Sequence, residues 1–219
     1  MSISQPFSSD QAEGLRKLFA GKASAIANVI AFLSIERESG ASTAIQRIAL
    51  ALQKQGKSVL VVDEQSQQQA SLKLLNSSDS PFTLIERPKA AGPSVSHQQL
   101  QETDFVLIDA YPSKESLVKQ ANTIVVVSKS PIQNEDRAVA IMRATSKTQA
   151  GTTLLLSQEG DSTELLKSRS VFEKISLAMN AKKIGWLGAL PMRSSTSKLD
   201  EAAYGLAQRI ISMHQAQEL

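Results

Sequence analysis

A short polar stretch between two apolar ones has the residue types of a phosphate-binding loop. Residues 34–43, SIERESGAST, follow the apolar run VIAFL and precede the helical pattern TAIQRIALALQKQG. A phosphate loop uses glycines so that backbone N–H groups converge on phosphate at a helix N-terminus, a lysine to neutralise charge, and a Ser or Thr hydroxyl to bind Mg²⁺. Gly40, Ser42 and Thr43 supply the glycine and the hydroxyls, but Ala41 stands in the position of the lysine.

The charged residues of this stretch oppose a polyphosphate ligand. Glu36 and Glu38 flank a single cation, Arg37. Two carboxylates at about 4–6 Å from a triphosphate would each repel it by roughly 1–4 kcal/mol at surface-like dielectric. Productive ATP binding is therefore disfavoured, and an ordinary strand-to-helix turn with Ser39 or Ser42 as the helix cap is the alternative interpretation.

Two aspartates further along the chain favour a site over an ordinary turn. Asp63 ends the apolar run VLVVD, and Asp109 ends the apolar run FVLID. In P-loop folds, carboxylates at the ends of neighbouring strands hold Mg²⁺ or its waters beside the phosphate loop. We therefore expect Ser42 and Asp109 to be the metal ligands if a nucleotide binds, with Mg²⁺ present only in that case.

The segments that must position these residues alternate between strands and helices. Short Val, Ile and Leu runs without in/out alternation predict strands buried on both faces, at 29–35, 58–64, 82–86, 104–110, 123–130, 152–158 and 184–191. Helical patterns lie between or after most of them, at 43–55, 135–146, 162–180 and 198–213. Repeated in this way, the pattern predicts an α/β domain with a doubly wound, mostly parallel sheet and helices on both faces. Ligands of such folds bind at the carboxyl ends of the strands.

Composition excludes several classes of protein. The 219 residues are 42% hydrophobic, which suits one domain with a substantial core, and the net charge of +3 is scattered rather than gathered into a nucleic-acid-binding stripe. The chain has no cysteine, and its two histidines, His97 and His214, are isolated. The first residues, MSISQPFSSD, have neither the basic start nor the apolar core of a signal peptide. We expect a cytosolic protein that binds no nucleic acid.

The order of the segments resembles the MinD/ParA family of deviant Walker ATPases from about residue 28 onward. After VIAFLS come GKSVLVVDE, DFVLIDA, TIVVVSKSP and WLGALP at the family's spacing. The family's loop reads like KGGVGKTT, so that Glu36 takes the place of the signature lysine and Ala41 that of the second lysine. The resemblance implies a MinD-like P-loop NTPase fold with a vestigial nucleotide site formed by Gly40, Ala41, Ser42, Thr43, Asp63 and Asp109.

Further departures from the family pattern predict a degenerate P-loop. Gln65 stands where the family has a second aspartate, and the run LLLSQEG lacks the Asn that commonly reads adenine. The resemblance therefore implies a pseudo-ATPase that needs no cofactor and is a monomer or an ATP-independent dimer, because the lysine that joins two protomers through ATP is missing. The alternative is a working ATPase that binds ATP and Mg²⁺, with Arg37 or Lys57 as the replacement cation.

Residues 1–27 are predicted to form an arm in front of the domain at 28–219. Asp10 and Glu13 resemble a capping box and Gly21 can close the helix, which gives a helix over 10–20. DQAEGLRKLF resembles the DQAxxLR helix of FlhG (FleN, YlxH), a MinD-like regulator of flagellar number. The matching residues are Asp10, Gln11, Ala12, Leu15 and Arg16. The resemblance implies that these residues bind a partner protein.

The FlhG-like arm implies a regulatory function. In that branch the helix binds the signal-recognition-type GTPase FlhF and stimulates its GTP hydrolysis. The resemblance implies a cytoplasmic regulator of flagellar biosynthesis, peripheral at the cell pole, that acts by protein contact. An alternative function is that of an antiactivator, which binds and inhibits a flagellar transcriptional regulator. A flagellar basal-body component is the other partner that the resemblance implies. An arm that merely packs on its own domain and a role in DNA partition are the alternatives.

The pattern at 198–213 bears on membrane contact. Its apolar residues recur at helical spacing, but the opposite face mixes Lys198 and Arg209 with Asp200 and Glu201. A helix that binds a membrane surface needs a cationic polar face. We therefore expect this helix to pack on the sheet, with membrane association weak or indirect, and Trp186 to belong to the core.

Overall fold

A computed structural model describes most of the predicted domain. It describes residues 27–36, 38–64, 83–86, 103–110, 118, 121–132, 134–145, 150–158, 162–178 and 184–215. The predicted helix at 10–20, with all five predicted partner-binding residues, lies outside the described residues, as do Arg37, Gln65 and His97.

Seven parallel strands form one sheet in the order β3-β2-β4-β1-β5-β6-β7. Every described pair of neighbours is parallel. The strands are β1 (Asn28–Ser34), β2 (Val59–Asp63), β3 (Thr83–Glu86), β4 (Phe105–Ala110), β5 (Thr123–Ser130), β6 (Gly151–Gln158) and β7 (Ile184–Pro191). The predicted strands are confirmed, with each end within one residue of its expected position.

Four described helices cover the two faces of the sheet. They are α1 (Ala41–Lys54), α2 (Glu135–Thr145), α3 (Ser162–Ala178) and α4 (Thr196–Gln215). One core cluster joins the sheet to α1 and α4, and the other joins the opposite face to residues of α2 and α3. The predicted doubly wound α/β fold is therefore confirmed.

Strand β1 shows why the apolar runs lack alternation. Ile30 and Phe32 belong to the cluster beneath α1 and α4, whereas Val29, Ala31 and Leu33 belong to the cluster on the α2 and α3 face. Because successive side chains point to opposite faces and both faces are covered by helices, the five positions between the ends of the strand are all apolar.

Helix α4 packs on the sheet, as expected. Its buried residues are Leu199, Ala203, Leu206, Ala207 and Ile210. Trp186 is only partly buried, and its ring lies 5.4 Å from that of Phe172 at the margin of the other cluster. None of the described helices is long and apolar enough to cross a membrane.

Candidate functional site

Five polar side chains lie on one face at the carboxyl end of the sheet. Side chains alternate along a strand, so a residue shares its face with the residue two positions earlier. Those earlier residues, Phe32, Val61, Leu107, Val127 and Leu155, all belong to the cluster beneath α1 and α4. In the order of their strands across the sheet, the polar residues are Asp63, Asp109, Ser34, Lys129 and Ser157.

The loop between β1 and α1 crosses the ends of these strands. The Ile35 N–H donates to the Val127 carbonyl oxygen at 2.9 Å, which holds the start of the loop against β5. Glu38 and Gly40 have positive φ angles of 56° and 82°. Gly40 is the N-cap residue of α1, and its carbonyl accepts from the Ala44 N–H at 2.8 Å. The left-handed turn thus aims the helix N-terminus at the sheet edge.

Neither serine caps the helix, so the predicted serine cap is wrong. Gly40 is the cap and no side chain caps the helix, which begins at Ala41, two residues before the predicted start. The Ser39 hydroxyl instead donates to the Ser34 hydroxyl at 2.9 Å. The Ser42 hydroxyl donates to Asp109 Oδ2 at 2.5 Å. Each serine hydroxyl thus bonds to a residue of the sheet instead of the helix terminus.

The pair of Ser42 and Asp109 joins the loop to the sheet. Asp109 is fully buried, and Ser42 is 8% exposed. Asp63 lies next to Asp109 in the parallel register of β2 and β4, so the two carboxylates come from neighbouring strands. A buried carboxyl group needs hydrogen-bond partners, and the Ser42 hydroxyl supplies one.

These residues fit Mg²⁺ only in the company of phosphate. The described residues contain no group of three or more His, Asp or Glu side chains arranged to hold a metal. Mg²⁺ is usually held by one or two carboxylates, retained waters and substrate phosphates rather than by an all-protein cage. Ser42 and Asp109 would be the protein side of such a site, and the metal would help to neutralise phosphate charge.

Glu36, which the sequence resemblance predicts to replace a lysine, forms a hydrogen bond within its own chain. Its Oε1 accepts a hydrogen bond from the Lys129 backbone N–H at 3.0 Å, and its side chain is half-buried. This bond directs the carboxylate to the end of β5. The repulsion expected from Glu36 in the sequence is therefore partly offset by a backbone donor.

The turn at Gly40 has no room for a side chain. A Cβ atom there would lie 2.8 Å from Met192 Cε and 2.9 Å from Ser157 Oγ. Met192 follows β7, and Ser157 lies near the end of β6. The loop that follows β1 therefore also contacts residues of β6 and of the turn after β7, although β5 lies between these strands and β1.

The suggestion that Lys57 replaces the missing lysine is wrong. Lys57 precedes β2, whereas Asp63 ends it. Six residues of extended chain separate the two positions by about 20 Å. Lys57 therefore lies at the amino end of the sheet, opposite the loop.

The structure thus brings together most of the nucleotide-site residues that the sequence singles out. Gly40, Ala41 and Ser42 lie at the start of α1 above Asp63 and Asp109, and Thr43 is half-buried in the same first turn. Sequence reasoning missed Lys129, Ser157 and Met192. Lys129 and Ser157 could have been found in the sequence. Each is a polar residue two positions after a buried apolar residue of its strand, and so lies on the same face of the sheet.

Comparison with known proteins establishes the fold class. No protein-family model matches the sequence, and no curated protein sequence does. Solved structures do match in shape, and ATPases of the MinD and ParA type are among them.

Three of these structures illustrate the likeness. The septum site-determining protein MinD of Pyrococcus horikoshii, complexed with Mg-ADP, has 13% identity and a TM-score of 0.63, over 86% of this chain and 98% of its own. Cobyrinic acid a,c-diamide synthase of Mycobacterium smegmatis, with bound ADP and magnesium, has 17% identity and a TM-score of 0.61, over 88% and 97%. A ParA family ATPase of Chlorobium tepidum has 14% identity and a TM-score of 0.58, over 85% and 100%. The chain has the MinD-like P-loop fold.

Proposed function

We propose that this protein is an FlhG-like regulator of flagellar biosynthesis that acts by protein contact and no longer uses ATP as a switch. The observation that supports this function is the hydrogen bond between the Glu36 carboxylate and the Lys129 N–H of the same chain. In the family that this loop resembles, a lysine at this position reaches the nucleotide of a second protomer. A carboxylate has the opposite charge, and here it is engaged within its own protomer.

The start of α1 supports the same conclusion. Ala41 is the first residue of the helix, where a phosphate loop has its charged lysine. Ala41 is 4% exposed and belongs to the core cluster beneath α1. Its methyl group therefore contributes to packing and supplies no charge for a γ-phosphate.

The oligomeric state tests the loss of the switch. Sedimentation of the full chain with and without Mg-ATP should give the same species, a monomer or an unchanging dimer. A shift to dimer that requires Mg-ATP would contradict the proposal. Replacement of Glu36 by lysine provides the matched variant, because it restores the family's charge at one position.

The arm is the proposed effector, and its partner an FlhF-type GTPase. Gln11 and Arg16 would present polar groups near the partner's nucleotide while the apolar stripe of the helix occupies a groove. We expect the full chain to stimulate GTP hydrolysis by the cognate GTPase. Gln11→Ala and Arg16→Ala should each lower the stimulation about tenfold or more, whereas Lys17→Ala, on the same helix but outside the motif, should leave it within about twofold. Absence of stimulation by the unaltered chain would remove the proposal.

A second candidate function, that of a working ATPase, is favoured by one observation. The Ser42 hydroxyl donates to the Asp109 carboxylate, and this is the pair that a Mg-nucleotide would use. Steady-state ATP hydrolysis by the full chain distinguishes the two candidates. Hydrolysis that Asp63→Ala and Asp109→Ala abolish would favour the ATPase, and the regulator is expected to show none above background.

A further inference from the structure

A groove of about 420 Å³ lies between the last strand of the sheet and one flank of α4. Strand β7 is outermost on that side, so its outer edge pairs with no described strand. The opposite flank of α4 faces α1, where Arg47 donates to Asp200 Oδ1 at 3.0 Å. Among the described residues, α4 therefore has a neighbouring helix on one flank and the groove on the other.

Small residues leave the room for this groove. Gly188 and Ala189 of β7 line it together with Ala202 and Gly205 of α4. Gly188 is required by the fold, because a Cβ atom there would lie 2.7 Å from Leu206 Cδ2. A Cβ atom at Gly205 would meet nothing within 4 Å, although glycine is unfavourable inside a helix. The packing of the described chain therefore does not require Gly205, whereas a second backbone that approaches α4 closely would.

The two ends of the groove are cationic. Lys198 and Arg209 both line it, and the helical repeat places them on one stripe of α4 about 16 Å apart. Glu201 lies between them, one turn from Lys198. Within the described ranges none of these three exposed side chains forms an ion pair, and the hydrogen bond of Arg209 is to the Leu187 carbonyl at 2.7 Å. The groove thus presents a cation at each end and a carboxylate between them.

An additional β-strand does not fit this edge of the sheet. Strand β7 is irregular at Leu187, which is skipped in the register with β6. The Leu187 carbonyl is also occupied by the Arg209 guanidinium. The irregularity and the occupied carbonyl interrupt the row of backbone groups that a further strand needs.

A second copy of α4 does not fit the groove either. If two copies of the helix paired antiparallel at their small residues, Lys198 of one copy would lie beside Arg209 of the other. If they paired parallel, each cation would lie beside its own equivalent. Like charges would meet in both arrangements, so the charges of the groove favour a different and acidic partner.

We propose that the groove between β7 and α4 is a docking site for a helix of a partner protein, with two acidic residues about three turns apart and small or apolar residues between them. The two carboxylates pair with Lys198 and Arg209. The helix packs against α4 at Ala202 and Gly205, where the backbones can approach closely. Glu201 disfavours a helix that is acidic throughout, because it repels a carboxylate placed opposite it. This site depends on neither the arm nor the loop after β1, and it goes beyond the proposed function.

Fluorescence anisotropy with a designed peptide tests the proposal. The probe is a fluorescein-labelled, alanine-based helical peptide of about twenty residues. Its two glutamates have the spacing of Lys198 and Arg209, with leucine between them on the same face. A second peptide has lysine at both glutamate positions, and a third has one glutamate and one lysine. Each is titrated with the full chain, with Lys198→Glu and with Gly205→Leu. Lys174→Glu is the matched control, because it reverses an exposed charge on α3.

The unaltered chain should bind the glutamate peptide at submillimolar concentration and the lysine peptide about tenfold more weakly. Lys198→Glu should weaken binding of the glutamate peptide about 3- to 10-fold, because each exposed ion pair contributes little, and the mixed peptide should restore it to within about threefold. Gly205→Leu fills the groove, so we expect a loss of about tenfold or more without a lower melting temperature, because leucine suits a helix better than glycine. Lys174→Glu should remain within about twofold.

Three results would overturn the inference. They are no binding of the glutamate peptide at about 1 mM, equal binding of the glutamate and lysine peptides, and equal binding by Gly205→Leu and the unaltered chain. GTPase stimulation and sedimentation with Mg-ATP test the proposed function separately, so a failure of either one leaves the result for the groove unchanged.

Discussion

Two serine–aspartate pairs lie at opposite ends of the sheet and differ in burial. At the carboxyl end, the buried Ser42 hydroxyl donates to the fully buried Asp109 at 2.5 Å. At the amino end, Ser58 donates to Asp104 Oδ2 from its N–H at 2.8 Å and from its hydroxyl at 2.9 Å, and both residues are exposed. In both pairs a serine hydroxyl donates to an aspartate carboxylate. The difference in burial therefore distinguishes the candidate site at the carboxyl end from the structural contact at the amino end.

The amino-end pair completes the contacts between neighbouring chain segments. Asp104 also donates its own N–H to the Ser58 hydroxyl at 2.8 Å, and Asn122 Oδ1 accepts from the Val29 N–H at 2.8 Å. These groups satisfy backbone atoms where strands begin. At the carboxyl end the polar groups converge instead on a left-handed turn and a helix N-terminus. Polar groups at the edge of a sheet therefore indicate a binding site when they face a left-handed turn that leads into a helix.

Double-mutant cycles should show a large difference between the two ends. We expect the coupling energy of Ser42→Ala with Asp109→Asn to be about 1–3 kcal/mol, because the two groups bond directly in a buried place. The coupling of Ser58→Ala with Asp104→Asn should be below about 1 kcal/mol, because water competes at an exposed pair. Urea unfolding of the four single and two double variants measures both. Equal couplings would mean that burial does not distinguish the pairs.

Two glycines give a second comparison, with a similar expected difference. Gly40 and Gly56 both have positive φ, at 82° and 76°. Gly56 closes α1, since its N–H bonds to the Gln53 carbonyl and the Lys57 N–H to the Leu52 carbonyl. A Cβ at Gly56 would meet nothing within 4 Å, whereas one at Gly40 would collide with Met192 and Ser157.

Alanine at each glycine separates backbone cost from steric cost. Gly56→Ala should lower the free energy of unfolding by about 1 kcal/mol, the cost of a left-handed alanine. Gly40→Ala should lower it by roughly 2–4 kcal/mol, because overpacking is added. Thermal unfolding of the two variants tests this difference. A Gly40→Ala variant as stable as Gly56→Ala would show that Met192 and Ser157 move aside at little cost.

The acid dependence of the amino-end pair should be the smallest effect. Burial alone would raise the pKa of Asp104, but the bonds from the Ser58 N–H and hydroxyl, with the charges of Lys57 and His214, outweigh it and lower the pKa below its ordinary value. A lowered pKa contributes stability above the unfolded pKa of about 3.9 and loses it as the pH falls through the folded value.

Replacement of Asp104 tests the sign of this contribution. At pH 7, Asp104→Asn should lower the free energy of unfolding by less than about 1 kcal/mol, because the pair is exposed. The difference between the variant and the unaltered chain should shrink as the pH falls below about 4. Denaturant unfolding between pH 2 and pH 7 measures it. A difference that grows with acid would contradict the direction of the pKa shift.

The strand pattern could be predicted because its cause is local. Apolar runs such as VIAFL and VLVVD are buried on both faces, and a chain that alternates such runs with helices has few ways to cover both. The end of each strand, and with it the places of Asp63 and Asp109, follows from where the apolar run stops. The helix start was less predictable, because Ser39 and Ser42 suit a cap but bond to the sheet instead.

The sequence by itself determined that a loop without lysine lies at a carboxyl sheet edge beside two carboxylates. Only the tertiary structure decided what surrounds the loop, because the strand order β4-β1-β5-β6 brings together residues that are far apart in the chain. Glu36 meets the N–H of Lys129 across 93 positions, and Ser42 meets Asp109 across 67. A local sequence pattern predicts that a segment is a strand, but it does not predict which strands lie beside it. The position of Lys129 next to the loop therefore follows only from the tertiary structure.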